Sequence, residues 1–440
     1  MPGILAWGSY LPHRRLDRTT VKAVAGAGGG KGTRSVASYD EDTTTMGFEA
    51  ARRALRGTPW VGGLAFSTPT PAYLEKTNAT AIHAALRLPR EVGAFDVNGS
   101  VRSAMAALRS ALLSPQPVLV VSSDLRGGLP GGVDESSGGD GAGALVVGHG
   151  EDLAAELVSW CSVTEEFLDR WRIPGALATR SWEERFGEIR YVECAMDVWQ
   201  QMLDHNQIQP ADIDVLIVCG THDRAVAAVK KKLALGERVC EDFAATVGNL
   251  GAAAPTVLLA HALEQAQPGQ TIALLVLADG ADLVVFRTTG SRPKLPGPTV
   301  RAQAESGAPI SYGKFLTWRG MLPVEPPRRP EPARPSASAS SRSVDWKFGL
   351  ADSEGESIAE EKGTIVTFTI DRLVYSQSPP VVFAVVDFDG GSRLPVELTD
   401  CDPDAVAIGD RVEMTFRKLF TADGIHNYFW KARPAVGEGS

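Results

Sequence analysis

The chain has 440 residues, of which 44% are hydrophobic, and its formal net charge at pH 7 is -9. This length and apolar content predict two or three folded units with substantial cores. The acidic balance gives no electrostatic reason to bind a phosphate polymer or an anionic lipid surface, so nucleic acid and membrane are disfavoured as partners.

The cysteines and the N-terminus indicate the type of compartment. Five cysteines are scattered without a C-x-x-C pair, which argues against a disulfide framework and against a zinc ribbon. The opening segment, MPGILAWGSYLPHRR, has no basic region ahead of a sustained apolar stretch, and no later apolar run approaches the length of a bilayer-spanning helix. We therefore expect a soluble protein of the reducing cytoplasm.

The first part of the chain alternates short apolar runs with longer amphipathic ones, which is typical of an α/β protein. Buried strands are predicted at residues 4–7, 63–67, 118–122 and 144–147, and helices at 45–55 and 103–113.

A second series of elements repeats this order. It comprises a predicted helix at about 194–205, a strand at 215–219, a helix at 225–235 and strands at 272–277 and 283–286. The repetition predicts two pseudo-repeated halves, residues 1–155 and 156–320.

The composition changes at the end of the second half. The stretch PVEPPRRPEPARPSASASSRS is rich in Pro, Arg, Ser and Ala, so residues 321–344 are predicted to form an extended linker. Beyond it, β-rich runs alternate with Gly, Pro and Asp turns at 363–373, 380–388, 393–398 and 411–416. Residues 345–440 are therefore predicted to form a small all-β barrel.

Four segments of the first part carry ordered motifs. They are GTRSVAS followed by TTTMGFEAARRAL, then AFDVNGSVRSAMAAL, GGDGAGALVVG and VGNLGAAAP. Together they resemble the CoA-pocket segment and first long helix, the nucleophile strand and helix, the glycine-rich turn and the Gly-Asn loop of ketoacyl-ACP synthase III and hydroxymethylglutaryl-CoA synthase. The resemblance covers roughly residues 1–300 and implies a five-layered αβαβα thiolase fold, an obligate homodimer, a tunnel for an acyl-CoA or acyl-ACP thioester, and no permanently bound cofactor.

The C-terminal segments GTIVTFTIDRL and ELTDCDPDAVAIGDRVEMTF are similar to the OB-fold domains that accompany thiolases and hydroxymethylglutaryl-CoA synthases in acyl-CoA complexes. In those proteins a cysteine-rich zinc ribbon usually precedes the barrel, whereas the corresponding WKFGLADSEGESIAEEKG has no cysteine. The resemblance implies a thiolase partner, and we predict that no metal is bound.

The position of the family nucleophile is occupied by valine. In the resembled families the catalytic cysteine lies five residues after the aspartate of the nucleophile strand, at the N-terminus of a buried helix. Counting from Asp96 reaches Val101, which cannot form a thioester. Ser100 and Ser103 flank it; a serine nucleophile would need a base in reach, and the alternative is that both serines only begin a helix.

The family histidine has two candidate positions in DVLIVCGTHDRAV. An ungapped count from Asp214 places Cys219 at the histidine position, and we favour this alignment. A gap of three residues would place His222 there instead, where it could act as an acid, a base or a carbonyl donor. The alternative for His222 is a residue that bonds backbone at a helix start.

Asn249 lies in the clearest motif, between Gly248 and Gly251. The resemblance implies that its amide donates to a thioester carbonyl or enolate and that the two glycines border the substrate. The alternative is a tight turn made by Gly248-Asn249. The resemblance also implies that Arg34 contacts a CoA phosphate through its guanidinium fork, against the alternative of a solvated surface arginine.

Hydroxymethylglutaryl-CoA synthases also need a glutamate acid in the first half. In FSTPTPAYLEKTNAT, Pro69 or a neighbouring threonine stands at that position, and Glu75 lies too far along to replace it. Synthase chemistry of that type is therefore not expected.

Three functions fit these residues. The first is an acyl-CoA-handling protein that has lost its own condensation chemistry and acts with a thiolase. The second is a cysteine-independent enzyme for acyl transfer, decarboxylation or carbon-carbon cleavage, using Asn249 and His222. The third is a non-catalytic dimeric scaffold for the OB-fold domain.

Overall fold

The computed structural model describes residues 1–56, 60–206, 208–294, 297–325, 329, 344–351 and 355–435. The helices are α1 (Val21–Ala25), α2 (Thr43–Leu55), α3 (Ala79–Ala85), α4 (Ser103–Leu112), α5 (Val133–Ser137), α6 (Glu184–Asn206), α7 (Asp223–Leu233), α8 (Ala254–Gln265), α9 (Val300–Glu305), α10 (Tyr312–Trp318) and α11 (Val344–Gly349). None of the helices in these ranges is both long and apolar enough to cross a bilayer.

The strands of the first part are β1 (Pro2–Tyr10), β2 (Arg14–Asp17), β3 (Thr33–Val36), β4 (Gly63–Ser67), β5 (Gly93–Asp96), β6 (Val118–Asp124), β7 (Gly141–His149), β8 (Ala155–Thr164), β9 (Arg170–Trp171), β10 (Arg180–Ser181), β11 (Val215–Gly220), β12 (Thr271–Leu277), β13 (Gly280–Thr288) and β14 (Ala308–Ile310). Those of the C-terminal part are β15 (Lys362–Asp371), β16 (Val381–Phe388), β17 (Arg393–Glu397), β18 (Arg411–Ala422) and β19 (Ile425–Pro434).

The large sheet is built from two equivalent halves. Its order among the described residues is β11-β12-β13-β8-β1-β7-β6-β4-β5. The first half contributes β5-β4-β6-β7-β1. The second contributes β11-β12-β13-β8, to which Val239 adds a parallel bridge beside β11 at Leu216. Numbered along the chain, each half has the order third, second, fourth, fifth, first, with the fifth strand antiparallel to its neighbours. The predicted pseudo-repeat is therefore confirmed.

Helices cover and separate these halves in layers. The central core joins α4 and α8 to strands of both halves, with Leu108 and Leu259 packed near Val120 and Leu274. A second cluster places α2 and α3 on the outside of the first half, and a third places α6 and α7 on the outside of the second. This is the predicted five-layered αβαβα arrangement, because each half of the large sheet buries one face on the central helices and the other on an outer pair of helices.

A small sheet ties the end of the thiolase-fold part to its beginning. Its order is β14-β2-β3, and β14 pairs in parallel with β2. The second half therefore returns to the N-terminus before the chain leaves for the predicted linker. Of residues 321–344, most lie outside the described residues, so the linker stays a prediction.

The C-terminal part is an antiparallel barrel of order β17-β16-β15-β18-β19. Register shifts in β15 and β18 bend these strands, and a parallel bridge between Leu398 and Ala432 brings the two edges of the sheet together. The predicted small barrel is confirmed, and β19 is a strand that the sequence pattern did not indicate.

The barrel packs directly on α2. Phe48 lies with its ring centroid 5.2 Å from that of Phe416 and 5.3 Å from that of Trp430. Glu49 accepts a hydrogen bond from Thr415 Oγ1 at 2.9 Å and pairs with Arg433 at 3.2 Å. Burial disfavours the charged form of Glu49, but the neighbouring arginines hold its pKa below the usual range. The two parts therefore share a core and a buried ion-pair network.

Candidate functional site

A cleft of about 140 Å³ opens beside the turn that precedes α4. Its walls come from that turn and from the carboxyl ends of β6, β11 and β12, the edge of a sheet at which α/β proteins commonly bind ligands. The walls include Ser100, Val101, Asp124, Arg126, Arg170 and Arg172. This cleft is the first candidate site.

Val101 occupies one wall of the cleft. Its side chain is 9% exposed and packs with Ala252 and Ala278 in a small apolar cluster. The Oγ of Ser103 accepts a hydrogen bond from the Ser100 N–H at 3.2 Å, which fits the helix-start alternative for these serines. The turn before α4 thus offers the cleft an isopropyl group at this position.

A second, smaller cavity of about 50 Å³ brings together Cys219, Gly248 and Asn249. Cys219 lies near the end of β11 and is 5% exposed. Burial raises the pKa of its thiol to about 12, although Lys230 acts in the opposite direction. The thiol is therefore protonated at neutral pH and can offer only a weak S–H donor.

The amide of Asn249 is engaged on both sides. Its Nδ2 donates to the carbonyl of Gly220 at 2.8 Å and to Asp223 Oδ1 at 2.7 Å, and its Oδ1 accepts from the Gly251 N–H at 3.0 Å. In this arrangement the amide fastens its own loop to β11 and α7. A thioester carbonyl would have to displace one of these acceptors to reach Nδ2.

The two glycines of this loop are required by the backbone. Gly248 has φ +90° and Gly251 has φ +54°, a region that other residues rarely adopt. A Cβ on Gly251 would also lie 2.0 Å from Asp124 Oδ2. The structure therefore gives Gly251 a packing role against the floor of the cleft.

The cysteine-independent hypothesis needs His222 and Asn249 to meet in one cavity, and the structure does not bring them together in either of the two cavities described above. His222 caps α7: its Nδ1 accepts from the Ala225 N–H at 3.1 Å, and its Nε2 lies 2.8 Å from the Glu184 carbonyl. The ring lies against Tyr191 of α6, at a centroid distance of 5.9 Å, and borders neither cavity. The helix-start alternative describes its contacts.

Arg34 is also placed differently from the expectation. It is fully buried on β3, donates to the carbonyls of Glu135 at 2.5 Å and Arg126 at 3.1 Å, and pairs with Asp140 at 3.2 Å. The predicted contact with a CoA phosphate does not fit these surroundings, because the guanidinium is not presented to a ligand. Arg34 instead holds β3 to the chain around the glycine-rich turn.

The sequence pattern did not single out the polar groups of the cleft. Asp124 ends β6, Arg126 follows it, and Arg170 and Arg172 come from the segment between β8 and α6. Burial raises the pKa of Asp124, although Arg126 and hydrogen bonds act in the opposite direction. The alternation RWR at 170–172 was the available signal, but nothing in the sequence pairs it with the end of a distant strand.

No group of three or more His, Cys, Asp or Glu side chains is arranged to hold a metal ion in the described part of the chain. The cysteines of those residues form no disulfide.

Two family models match parts of the chain. Residues 203–285 match the C-terminal part of 3-oxoacyl-[acyl-carrier-protein] synthase III. Residues 358–417 match the C-terminal OB-fold domain of ChsH2.

Similar proteins cover the thiolase-fold part. A hydroxymethylglutaryl-CoA synthase of Thermoplasma volcanium is 24% identical over 342 residues, covering 72% of this chain and 97% of the relative. The crystal structure of 3-oxoacyl-(acyl carrier protein) synthase III from Pseudomonas aeruginosa aligns with a TM-score of 0.59 at 23% identity, over 66% of this chain and 99% of that one. A hydroxymethylglutaryl-CoA synthase solved with CoA aligns with a TM-score of 0.59 at 16% identity, over 72% and 89%.

Proposed function

We propose that this chain, a thiolase-fold unit like those of ketoacyl-ACP synthase III and hydroxymethylglutaryl-CoA synthase fused to an OB-fold domain, binds an acyl-CoA or acyl-ACP thioester without forming the usual acyl-enzyme. The observation that carries this proposal is Val101 at the wall of the cleft before α4. Valine has no nucleophilic atom, so the acyl group stays on its carrier while bound.

Three cysteines of the chain have a pKa too high for them to replace the missing nucleophile. Burial raises the pKa of Cys219 and Cys240 to about 12 and that of Cys401 to about 11. At neutral pH these groups are thiols, and the thiolate is the reactive form. This supports a noncovalent role for the thiolase-fold unit.

Cysteine-independent catalysis by Asn249 and His222 is not favoured. The two side chains do not share a cavity, and both amide N–H groups of Asn249 already have acceptors. We therefore assign the bond-making or bond-breaking step to a partner. A thiolase is the partner we propose, because the OB-fold domain at residues 358–417 resembles those that accompany thiolases in acyl-CoA complexes.

We also propose that the chain acts as a homodimer. Strand β5 lies at one edge of the large sheet, and Phe95 on it is 66% exposed. An edge strand with an exposed aromatic side chain is a ready surface for pairing with a second strand. A second copy of the chain is the occupant that the thiolase-fold resemblance implies.

The first test is calorimetric titration of acetyl-CoA and acetoacetyl-CoA into the full chain, followed by intact-mass measurement of the same samples. Binding without a gain in protein mass is expected. The matched control is Val101→Cys, which restores a thiol at the head of α4 and is expected to gain one acyl group. An acylated wild-type protein would overturn the proposal, and absence of binding would leave only the scaffold function.

The thiolase partner needs its own test. Purified thiolases of the source organism are assayed for acetoacetyl-CoA cleavage alone and with an equimolar amount of this chain, and each mixture is run on a size-exclusion column. One of them is expected to elute earlier and turn over faster in the mixture. Unchanged elution and rate for all of them would contradict this part of the proposal.

A further inference from the structure

A third cavity, of about 200 Å³, lies at the end of α8 that is remote from the Asn249 loop. The helix starts at Ala254, just after that loop, and its next-to-last residue, Glu264, borders the cavity. At a rise of about 1.5 Å per residue, this stretch of helix spans roughly 15 Å. We propose that the cavity binds a small organic carboxylate, with Arg53 and Arg292 holding the carboxylate group. This proposal does not depend on thioester binding in the cleft beside Val101.

The cavity lies where two neighbouring strands of the large sheet part from each other. Strand β1 pairs with β8 at Gly3 and Ile4, near its start. Further along β1, residues 7–9 border the cavity instead. The other walls come from the end of α8, from Arg53 of α2, and from the segment between β13 and α9. Side chains from distant parts of the sequence therefore meet around one space in the interior edge of the sheet.

Arg53 brings a largely buried positive charge to the cavity. Its Nη1 donates to the carbonyl of Ser9 at 2.6 Å, and no carboxylate of the described residues forms an ion pair with it. A Cβ on Gly297, which also borders the cavity, would lie 3.6 Å from Arg53 Nε. Burial lowers the pKa of this guanidinium to about 10, and Arg433 acts in the same direction. A carboxylate in the cavity would give the charge the close counter-ion that it lacks.

Arg292 and Trp7 add further donors around the same space. Arg292 donates through Nη2 to the carbonyl of Ala266, and among the described residues no carboxylate pairs with it. Trp7 is 7% exposed, and its Nε1 is buried without a hydrogen-bond partner in the described part of the chain. A buried N–H without an acceptor costs free energy of folding, so a ligand oxygen in the cavity that this ring borders would remove a standing penalty.

Glu264 is the one carboxylate among the described residues that border the cavity. It accepts a hydrogen bond from the Val300 N–H, at 3.0 Å from Oε2. Burial raises its pKa to about 7, although the Val300 N–H and Arg53 act in the opposite direction. Arg53 on α2 and Arg292 in the segment before α9 are the charged groups that border the cavity with it. Two guanidinium groups therefore face one carboxylate, and protonation of Glu264 leaves only the positive charges, so an anion binds more tightly below pH 7.

The apolar part of the wall selects an organic acid over an inorganic anion. It is formed by Trp7, Leu263, Pro293 and Pro298. The volume of about 200 Å³ exceeds that of cavities of about 150 Å³ that hold benzene. A benzene ring with one carboxylate, or an aliphatic acid of similar size, matches both the space and the charge. Inorganic phosphate would pair with the arginines and leave the apolar wall without a contact.

The test uses benzoate as the probe and benzamide as its uncharged counterpart of nearly the same shape. Both are titrated calorimetrically into the full chain at pH 6, with inorganic phosphate as a third ligand. Benzoate is expected to bind at least about tenfold more tightly than either, because only benzoate combines a charge-assisted pair with an apolar contact. Arg53→Gln is expected to remove the preference over benzamide. Because Arg53 is largely buried and its replacement can disturb folding, Arg292→Gln, at an exposed arginine, is the second variant and should weaken benzoate at least about threefold.

Glu264→Gln tests the charge balance of the cavity. Benzoate affinity of the wild type is expected to fall at least about threefold from pH 6 to pH 8, whereas Glu264→Gln should bind benzoate equally well at both. Arg224→Gln, at an exposed arginine outside the cavity, is the matched control and should behave as the wild type does.

Absence of benzoate binding, equal affinities for benzoate and benzamide, or benzoate binding that is unchanged in both arginine variants would overturn the proposal. A fall in affinity with pH that persists in Glu264→Gln would overturn the role given to Glu264. None of these results bears on the acyl-CoA titration, so this proposal and the proposed function fail separately.

Discussion

Lys431 on β19 forms an ion pair with Asp40, between β3 and α2, with Nζ 2.9 Å from Oδ2 and both side chains almost fully buried. Burial disfavours the charge on Asp40, but Lys431 and Arg417 hold the pKa of its carboxyl below the usual value. This contact joins the OB-fold domain to the thiolase-fold unit through charges that have no access to water.

Removing one partner of this pair is expected to destabilise the whole chain. In Lys431→Met the carboxylate of Asp40 keeps its burial and loses its closest cation, so the free energy of unfolding should fall by about 3 to 5 kcal/mol. Urea unfolding followed by circular dichroism measures the loss. The control is Asp389→Asn, which breaks the exposed pair with Arg411 and should change little. Equal effects of the two substitutions would contradict the prediction.

Replacing Glu264 on α8 by glutamine is expected to stabilise the protein at neutral and higher pH. Burial raises its pKa from 4.5 to about 7, although the Val300 N–H and Arg53 act in the opposite direction. The folded protein thus holds this proton more tightly than the unfolded chain, so this residue's contribution to stability falls as pH rises from about 4.5 to about 7. Glu264→Gln still accepts from Val300 and avoids the loss.

The expected result is a variant about as stable as the wild type at pH 4.5 and more stable by roughly 3 kcal/mol at pH 8. Urea unfolding of both proteins at several pH values measures the difference. A difference that is the same at every pH would show that Glu264 is not the titrating group.

His222 is predicted to stabilise α7 without acting on a ligand. His222→Ala removes the acceptor for the Ala225 N–H and should cost about 1 kcal/mol of stability, whereas His222→Asn keeps a capping acceptor and should cost less. Thermal unfolding gives the stabilities, and acyl-CoA titration should give the same affinity for all three proteins. A loss of thioester affinity in both variants would restore a ligand role for this residue.

Phe95 tests the proposed homodimer. Phe95→Glu places a charge on the edge strand β5 and should yield monomers in light scattering, because two like charges would face each other across the paired edges. Leu113→Glu, at a residue 77% exposed after the end of α4, is the matched control and should stay dimeric. A monomeric wild type, or a dimeric Phe95→Glu, would contradict the dimer proposal.

The fold was largely predictable where one face of an element is apolar. The strand predicted at 63–67 is β4 as observed, and the helix predicted at 45–55 is α2 with two further residues at its start. The helix α6 begins ten residues earlier than predicted, at Glu184, because its first turns are mostly exposed and carry no apolar periodicity.

Two buried elements, α8 and β19, were not predicted because neither alternates apolar and polar residues in the usual way. Nearly every residue of α8 is buried, so it has no polar face to set a helical period. In β19 the buried positions include Lys431 and Arg433, which pair with Asp40 and Glu49 of the other domain. A polar residue at an inward position hides a strand from any pattern based on hydrophobicity.

The candidate site was predictable only in part. The motif order placed Val101 at the head of α4, and the structure sets Cys219 beside Asn249 in one cavity. The roles of Arg34 and His222 could not be obtained in this way, because motif position does not say whether a side chain points to a ligand or into its own fold. The arginines of the cleft come from segments that only the tertiary structure brings together.

The docking of the barrel on α2 reduces the structural role that the predicted linker has to fill. The two parts are held by aromatic rings in tilted and edge-to-face contact and by an ion pair that is closed to water. The peptide connection between them adds proximity but is not what keeps them associated. Expressed as two polypeptides, one ending at Glu325 and the other starting at Val344, they should assemble as a heterodimer, so a domain boundary along the sequence is a subunit interface in three dimensions.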